Sequence, residues 1–258
     1  MIRFGYVVAR KSLGAGAGSA LWAQQELPSK NPVYAFHIDI TGTGNDLSDI
    51  DRVRVRRNSV VHVDVQMTHL LALIGRFTKR IPATTATRFT IPLYRLTSAD
   101  QVDAVEFAVG LLPGNLEVEV RTKSTWAAGD MGIAWTFGED EDIARIVGQP
   151  YIMPASMSTV ATNQNNQRLV LDPPGVLGAL SLPSPTNMKR VQYSVGGRDI
   201  VDSSGVGLLE SQEILSGGGS DPLVLRFDGE VSGRVEAILD TDASWSATDK
   251  ELVYWSAA

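Results

Sequence analysis

Leu116-Glu117-Val118-Glu119-Val120-Arg121-Thr122 runs into Ser124-Thr125-Trp126, then Gly129-Asp130 and Trp135. Toward the end of the chain, Val235-Glu236-Ala237-Ile238-Leu239-Asp240-Thr241 runs into Ala243-Ser244-Trp245, then Thr248-Asp249 and Trp255. Each stretch reads as a strand, a polar turn with a tryptophan, and a second strand that ends in aromatics. Successive side chains of a strand point to opposite faces, so alternation of apolar and polar residues implies one buried and one wet face. The tryptophans are read as core anchors at a sandwich edge.

A second pair supports the first. Asp51-Arg52-Val53-Arg54-Val55-Arg56-Arg57-Asn58 parallels Lys189-Arg190-Val191-Gln192-Tyr193-Ser194-Val195-Gly196. Val53 and Leu116 are 63 positions apart, Val191 and Val235 are 44 apart. The surplus in the first half matches a segment opened by Ser98-Ala99-Asp100-Gln101, which has capping-box spacing, with Val102, Val105 and Val109 on roughly one helix face. Two similar halves imply duplication of one sandwich or convergence on it. The boundary is expected between Gly138-Glu139-Asp140-Glu141-Asp142 and Ile152-Met153-Pro154, where acidic residues, glycine and proline gather. The division predicted is an N-terminal arm over 1–17, a first sandwich over 18–140, a linker over 141–153 and a second sandwich over 154–258.

Alternation recurs elsewhere: Phe36-His37-Ile38-Asp39-Ile40, Val61-His62-Val63-Asp64-Val65, and Leu223, Leu225 and Phe227 interleaved with Val224, Arg226 and Asp228. Antiparallel sandwiches read this way, whereas buried parallel strands read as continuous apolar runs. Loops are expected at Leu27 to Pro32, Thr41 to Asp46 and Ser216 to Pro222, and a tight hairpin turn at Gly196-Gly197. Helices look few: a stripe at Met67, Leu70, Leu71, Ile74 and Phe77, the Ser98 segment, and a short piece over Leu208 to Leu215.

Composition removes several function classes. Hydrophobic residues are 43% and charged residues 20%, enough apolar material for a substantial core. Cysteine is absent, which removes disulfides, thiolate metal sites and cysteine nucleophiles. The net charge of −6 argues against phosphate binding as the main task. Arg10-Lys11, Arg52/Arg54/Arg56/Arg57 and Arg76/Lys79/Arg80 are therefore read as solvated faces before nucleic-acid contacts. No run of about 18 apolar residues predicts a membrane span, and the start is apolar for too short a stretch to read as a signal peptide.

The chemistry of sites is sparse. His37 with Asp39, and His62 with Asp64, share strand faces and could serve acid–base or metal chemistry, but the wet face of an alternating strand is the simpler reading. Glu139-Asp140-Glu141-Asp142 offers hard oxygen ligands suited to Ca²⁺ without calcium-loop spacing, so a solvated linker is preferred. Gly14-Ala15-Gly16-Ala17-Gly18 lacks the lysine of a phosphate loop and is read as a flexible hinge behind an apolar, basic arm (Arg3, Arg10, Lys11), or else the arm adds a strand to the first sandwich. No catalytic, cofactor-binding or metal residue is nominated, and the protein is not expected to be an enzyme.

Gly18 to Pro28, Tyr34 to Ile40 and Asp46 to Arg56 follow the order of opening strands in the corticovirus-type major capsid protein, which the chain resembles. Asn163 to Pro174, Met188 to Arg198 and the finish Glu251-Leu252-Val253-Tyr254-Trp255 echo its second half. The missing second-half helix leaves room for a sister family of the autolykivirus type. The resemblance implies an all-β double jelly roll with a few short helices. It implies homotrimers of hexagonal outline that tile an icosahedral shell around an internal membrane. Neighbouring trimers, vertex proteins and membrane-associated virion proteins would be partners, with synthesis in the host cytoplasm and residence in the virion. The competing reading is a tandem sandwich that binds carbohydrate, as in a spike, and it requires exposed aromatic rings.

Overall fold

The computed structural model describes residues 3–23, 30–42, 44–75, 87–94, 109–156, 167–182, 188–195, 198–203, 223–232, 234–241 and 251–257. The chain divides into two compact units. Unit 1 comprises Met1–Ile152 with Ala257–Ala258, and unit 2 comprises Met153–Ser256.

Unit 1 is built from β1 (Arg3–Leu13), β2 (Gly18–Trp22), β3 (Val33–Thr41), β4 (Ile50–Arg57), β5 (Val60–Gln66), α1 (Met67–Gly75), β6 (Arg88–Pro92), β7 (Leu116–Thr122) and β8 (Gly129–Phe137). One sheet has the order β1-β8-β3-β6, and the other runs β2-β7-β4-β5. Chain neighbours therefore fall in opposite sheets except at the β4–β5 hairpin, which is the eight-strand jelly-roll pattern. Unit 2 is built from β9 (Pro150–Ser156, whose first three residues fall in unit 1), β10 (Gln167–Leu171), β11 (Val176–Leu182), β12 (Met188–Val195), β13 (Arg198–Ser203), β14 (Leu223–Ser232), β15 (Val235–Thr241) and β16 (Glu251–Ala257, whose last residue falls in unit 1). Its strands follow the orders β9-β16-β11-β14 and β10-β15-β12-β13. Adding eight to each strand number of unit 1 gives unit 2.

The two sequence repeats meet each other inside each unit. In unit 1, β4 pairs antiparallel with β7, Val53 opposite Val120 and Arg57 opposite Leu116. In unit 2, β12 pairs with β15, Val191 opposite Leu239 and Val195 opposite Val235. The aligned residues of one repeat thus sit across from the aligned residues of the other in the same register. Residues 93–115 separate β6 from β7, whereas only 233–234 separate β14 from β15. The surplus of the first half falls in that connection.

The core of unit 1 comes from alternate positions. Phe36, Ile38 and Ile40 of β3 are buried, as are Val53 and Val55 of β4, Leu116, Val118 and Val120 of β7, and Met131, Ile133 and Trp135 of β8. The helix stripe is realised as α1, which buries Met67, Leu70 and Ile74 as expected, and also His69 and Leu73, while Leu71 is half-buried. In β14, Val224 is buried.

Residues 3–13, read from sequence as a hinged arm or an added strand, form β1 and pair antiparallel with β8 from Arg3 opposite Phe137 to Leu13 opposite Gly129. The glycine–alanine stretch is not a flexible hinge but the connection from β1 in one sheet to β2 in the other. Gly16, at φ +93°, donates its N–H to the Trp126 carbonyl at 2.8 Å. The Thr122 hydroxyl accepts the Gly18 N–H at 3.0 Å and donates to the Gly16 carbonyl at 3.1 Å. A positive φ is available to glycine because it has no Cβ.

The Trp126 turn is tied on its other side as well. The buried Asn45 side chain accepts the Ala127 N–H at 2.7 Å and donates to the Ala127 carbonyl at 2.8 Å. Thr125 Oγ1 donates to Asp49 at 2.6 Å, and the Lys123 N–H to the Asp49 carbonyl at 2.8 Å. In unit 2, β12 and β13 pair antiparallel with Val195 opposite Arg198, and the turn expected at Gly196-Gly197 lies outside the described residues. The helices expected at Ser98 and over Leu208 to Leu215, Trp245 with its turn, and the 216–222 loop lie outside the described residues.

Candidate functional surfaces and polar clusters

Among the described residues, those that the sequence singled out for chemistry fall into four groups in unit 1. The first is His37 with Asp39 on β3. His37 is half-buried, with Nδ1 2.9 Å from Thr90 Oγ1 and Nε2 2.9 Å from Thr136 Oγ1. Burial holds its pKa below the ordinary histidine value, helped by the Arg88 charge. Asp39 does not turn to the histidine; it pairs with Arg10 at 3.4 Å and Arg88 at 3.6 Å. Arg10 stands opposite Gly132 of β8, and Asp39 stands opposite the same glycine from the other side. With no side chain between them, the guanidinium reaches across. Arg88, at the start of β6, carries no sequence signal for this role.

The second group is His62 with Asp64 on β5, and here the sequence reading needs correction. Alternation puts both on the wet face, yet His62 is 1% exposed. Val55 pairs with Val63, but Arg56 pairs with Val61, so His62 is the extra residue of a β-bulge. A bulge shifts the alternation and re-aims one side chain. Nδ1 of His62 lies 3.1 Å from the Pro150 carbonyl, and its ring stacks on Tyr151 with centroids 4.8 Å apart. Burial pushes its pKa down and the Arg57 charge adds to this, while the Pro150 hydrogen bond opposes it.

Asp64 keeps the wet face and joins the third group, the Arg52/Arg54/Arg56/Arg57 cluster. Arg52 Nε donates to Asp64 Oδ1, and Arg54 donates to Asp64 Oδ2 at 3.0 and 3.1 Å. Arg54 also faces Glu119 at 3.6 Å, Glu119 accepts from Arg121 at 2.9 Å, and Arg56 faces Glu117 at 3.7 Å. Arg52, Arg54 and Arg56 of β4 are matched by carboxylates of β5 and β7, which removes them as a bare basic stripe for a phosphate backbone. Arg57 instead holds the Pro113 carbonyl at 3.2 Å and Gln149 Oε1 at 2.9 Å.

The fourth group is the acidic run. Asp140–Arg145 forms a short 3-10 helix. Asp142, buried, caps that helix by accepting the Glu139 N–H at 2.9 Å, and Arg145 approaches at 3.4 Å. The backbone hydrogen bond holds its carboxyl below the usual range. The oxygens that might have served Ca²⁺ are thus occupied in part by their own helix. Among the described residues, no three His, Asp or Glu side chains converge as a metal site would require. No helix among them is long and apolar enough to cross a membrane.

The tryptophans bear on the carbohydrate reading. Trp22, Trp126, Trp135 and Trp255 are each at most 2% exposed. Trp22 Nε1 donates to the Ala9 carbonyl at 3.0 Å, which ties β2 to β1. Trp255 lies against Gly178 of β11, where a Cβ would collide with its indole. These rings pack; none offers a platform.

No family model and no curated relative matches the sequence. Solved structures do match. The crystal structure of the STIV MCP superimposes with a TM-score of 0.65 at 11% identity, over 97% of this chain and 95% of that one. The major capsid protein P2 from bacteriophage PM2 superimposes with a TM-score of 0.53 at 14% identity, over 93% of this chain and 99% of that one. At such low identity the likeness rests on the path of the backbone, and that path is shared nearly end to end: the chain has the double jelly-roll fold of these two capsid proteins.

Proposed function

We propose that the chain is a viral major coat protein whose homotrimers tile an icosahedral shell around an internal membrane. The observation that carries the reading is the repetition of one eight-strand jelly roll, strand for strand, over a chain that spans nearly the full length of two capsid proteins. Two lobes per chain give six lobes at three copies, so a threefold trimer can fill a sixfold lattice position. The role is structural, not enzymatic. Its partners are further copies of itself, neighbouring trimers, and vertex and membrane-associated proteins of the virion. The carbohydrate reading is disfavoured because the four tryptophans described are buried.

We propose that the two jelly rolls span 3–137 and 150–257 with 138–149 as the link, rather than the 18–140 and 154–258 expected from the sequence, because β1 and β9 each belong to a four-strand row of their roll. Light scattering on purified protein at micromolar concentration tests the assembly. A mass three times the 27.8 kDa chain is expected, with an interface burying more than about 2,000 Å² as obligate contacts do. A monomer at physiological salt would overturn the trimer, and the absence of shells by electron microscopy when coat and membrane components are co-expressed would overturn the coat role.

A further inference from the structure

The β4–β5 hairpin grips four consecutive residues at the end of unit 1. Arg57 donates to Gln149 Oε1 at 2.9 Å. His62 Nδ1 meets the Pro150 carbonyl at 3.1 Å, and its ring stacks on Tyr151. Val63 bridges Ile152 in parallel. Residues 149–152 are the last of unit 1 before Met153. We propose that His62 is a proton-operated latch on this segment, closed when the imidazole is neutral and opened when it is protonated.

The argument begins with the tautomer. A carbonyl oxygen only accepts, so Nδ1 of His62 carries the hydrogen that it donates to Pro150. Nε2 then holds a bare lone pair. It is buried and has no hydrogen-bond partner among the described residues. A proton added there would create a cation and an N–H donor with nothing to receive it, both costly in a buried site. The groups that face the ring do not relieve this. Arg57, at the end of β4, is cationic and opposes a second positive charge. Tyr151 on β9 presents its ring face. On α1, which packs on β5, the titratable residue is His69, itself buried. Asp64, two residues along β5, is engaged by Arg52 and Arg54.

The sign follows. The folded state favours neutral His62, so its grip is complete above the ordinary histidine value of about 6.5 and is lost as pH falls below it. Protonation is relieved by turning the ring out, which breaks the Pro150 hydrogen bond and the Tyr151 stack together. The latch is a property of the fold and holds or fails independently of the coat-protein reading.

Hydrogen exchange followed by mass spectrometry, corrected for intrinsic rates, tests it at about pH 7.5 and about pH 5. Peptides covering 149–156 are expected to lose protection by about tenfold or more at the lower pH. In His62→Asn, whose amide can replace Nδ1 as donor to Pro150 but does not titrate, protection should not change with pH. Unchanged protection in the native protein would overturn the latch. Equal acid loss in His62→Asn would also overturn it, by placing the titration elsewhere. If that variant does not fold, His62→Phe, which keeps the stack, is read in the same way. His37→Asn should retain the native acid response, and loss of the response in that variant would assign the switch to His37.

Discussion

The same pair of strands is dressed differently in the two units. Across β4 and β7 of unit 1, the half-exposed row reads Arg52 opposite Arg121, Arg54 opposite Glu119 and Arg56 opposite Glu117. Across β12 and β15 of unit 2, the equivalent row reads Arg190 opposite Asp240, Gln192 opposite Ile238 and Ser194 opposite Glu236. The central pairs of the adjacent row carry apolar or aromatic residues in both: Val53/Val120 and Val55/Val118 in one, Val191/Leu239 and Tyr193/Ala237 in the other. Register is specified by the row that must stay dry, because a one-residue slip would move it into water. The wet row is free to vary, and in unit 1 it has become an ion-pair ladder. Topology is kept while the surface changes.

The largest effect expected from breaking this comparison lies in the core and not on the surface. Unit 2 accommodates Trp255 by leaving β11 without a side chain at Gly178, beside a register shift between Leu177 and Ala179. In unit 1, the corresponding strand β8 carries Trp135, which stands opposite Phe36 of β3. A methyl at Gly178 meets a rigid indole that cannot bend away. Gly178→Ala is expected to cost about 3 kcal/mol, at the upper end of ordinary overpacking, seen as a lower denaturant midpoint by tryptophan fluorescence. Gly14→Ala, where nothing lies within 4 Å, is the control and should be near neutral. Equal midpoints for the two variants would show that Trp255 has room to move.

The ladder comes next. Asp64 has a side chain only 14% exposed and serves both Arg52 and Arg54. Exposed pairs contribute about 0–1 kcal/mol and breaking buried ones costs about 3–5. Asp64→Ala, between these limits, should cost about 1–2 kcal/mol and lose part of that cost in high salt. A null result would mean that the unit 1 row is as replaceable as its unit 2 counterpart.

Much of this fold was legible because jelly-roll strands are short and half-wet. Alternation marks β3 and β7 directly, and the paired repeats locate β4/β7 and β12/β15 before any partner is known. What escaped has a common cause. Val61-His62-Val63-Asp64-Val65 alternates without a flaw, but the bulge that buries His62 is set by its pairing with β4. The arginine run of β4 looks the same whether it faces phosphate or carboxylate; Glu117 and Glu119, far away in sequence, decide it. The glycine–alanine stretch reads as a hinge until Trp126 and Thr122 are placed against it. Local pattern reports which face is dry, whereas partners across a sheet must be found by folding.

The smallest effect concerns the hairpin turns, and here the sign is the test. In unit 2 the sequence places Gly196-Gly197 between Val195 and Arg198, which pair. Unit 1 has Asn58-Ser59 between Arg57 and Val60, which no expectation singled out. Both residues have positive φ, +47° and +69°. Two-residue hairpin loops of type I′ require this at both central positions. Asn58 is suited to the left-handed region, and its Oδ1 accepts the Asn115 N–H at 2.8 Å, which ties the turn to the strand beyond β4. Ser59 has no such compensation and bears the left-handed cost of about 1–2 kcal/mol that a Cβ imposes. Glycine removes that cost but gains freedom in the unfolded chain worth about 0.4–1 kcal/mol against it. Ser59→Gly is therefore expected to stabilise the protein by about 0.5 kcal/mol, read as a small rise in denaturant midpoint. Asn58→Gly should destabilise although glycine suits a positive φ, because it loses the Asn115 hydrogen bond. If both substitutions shift the midpoint the same way, backbone strain and not the side-chain tie governs this turn.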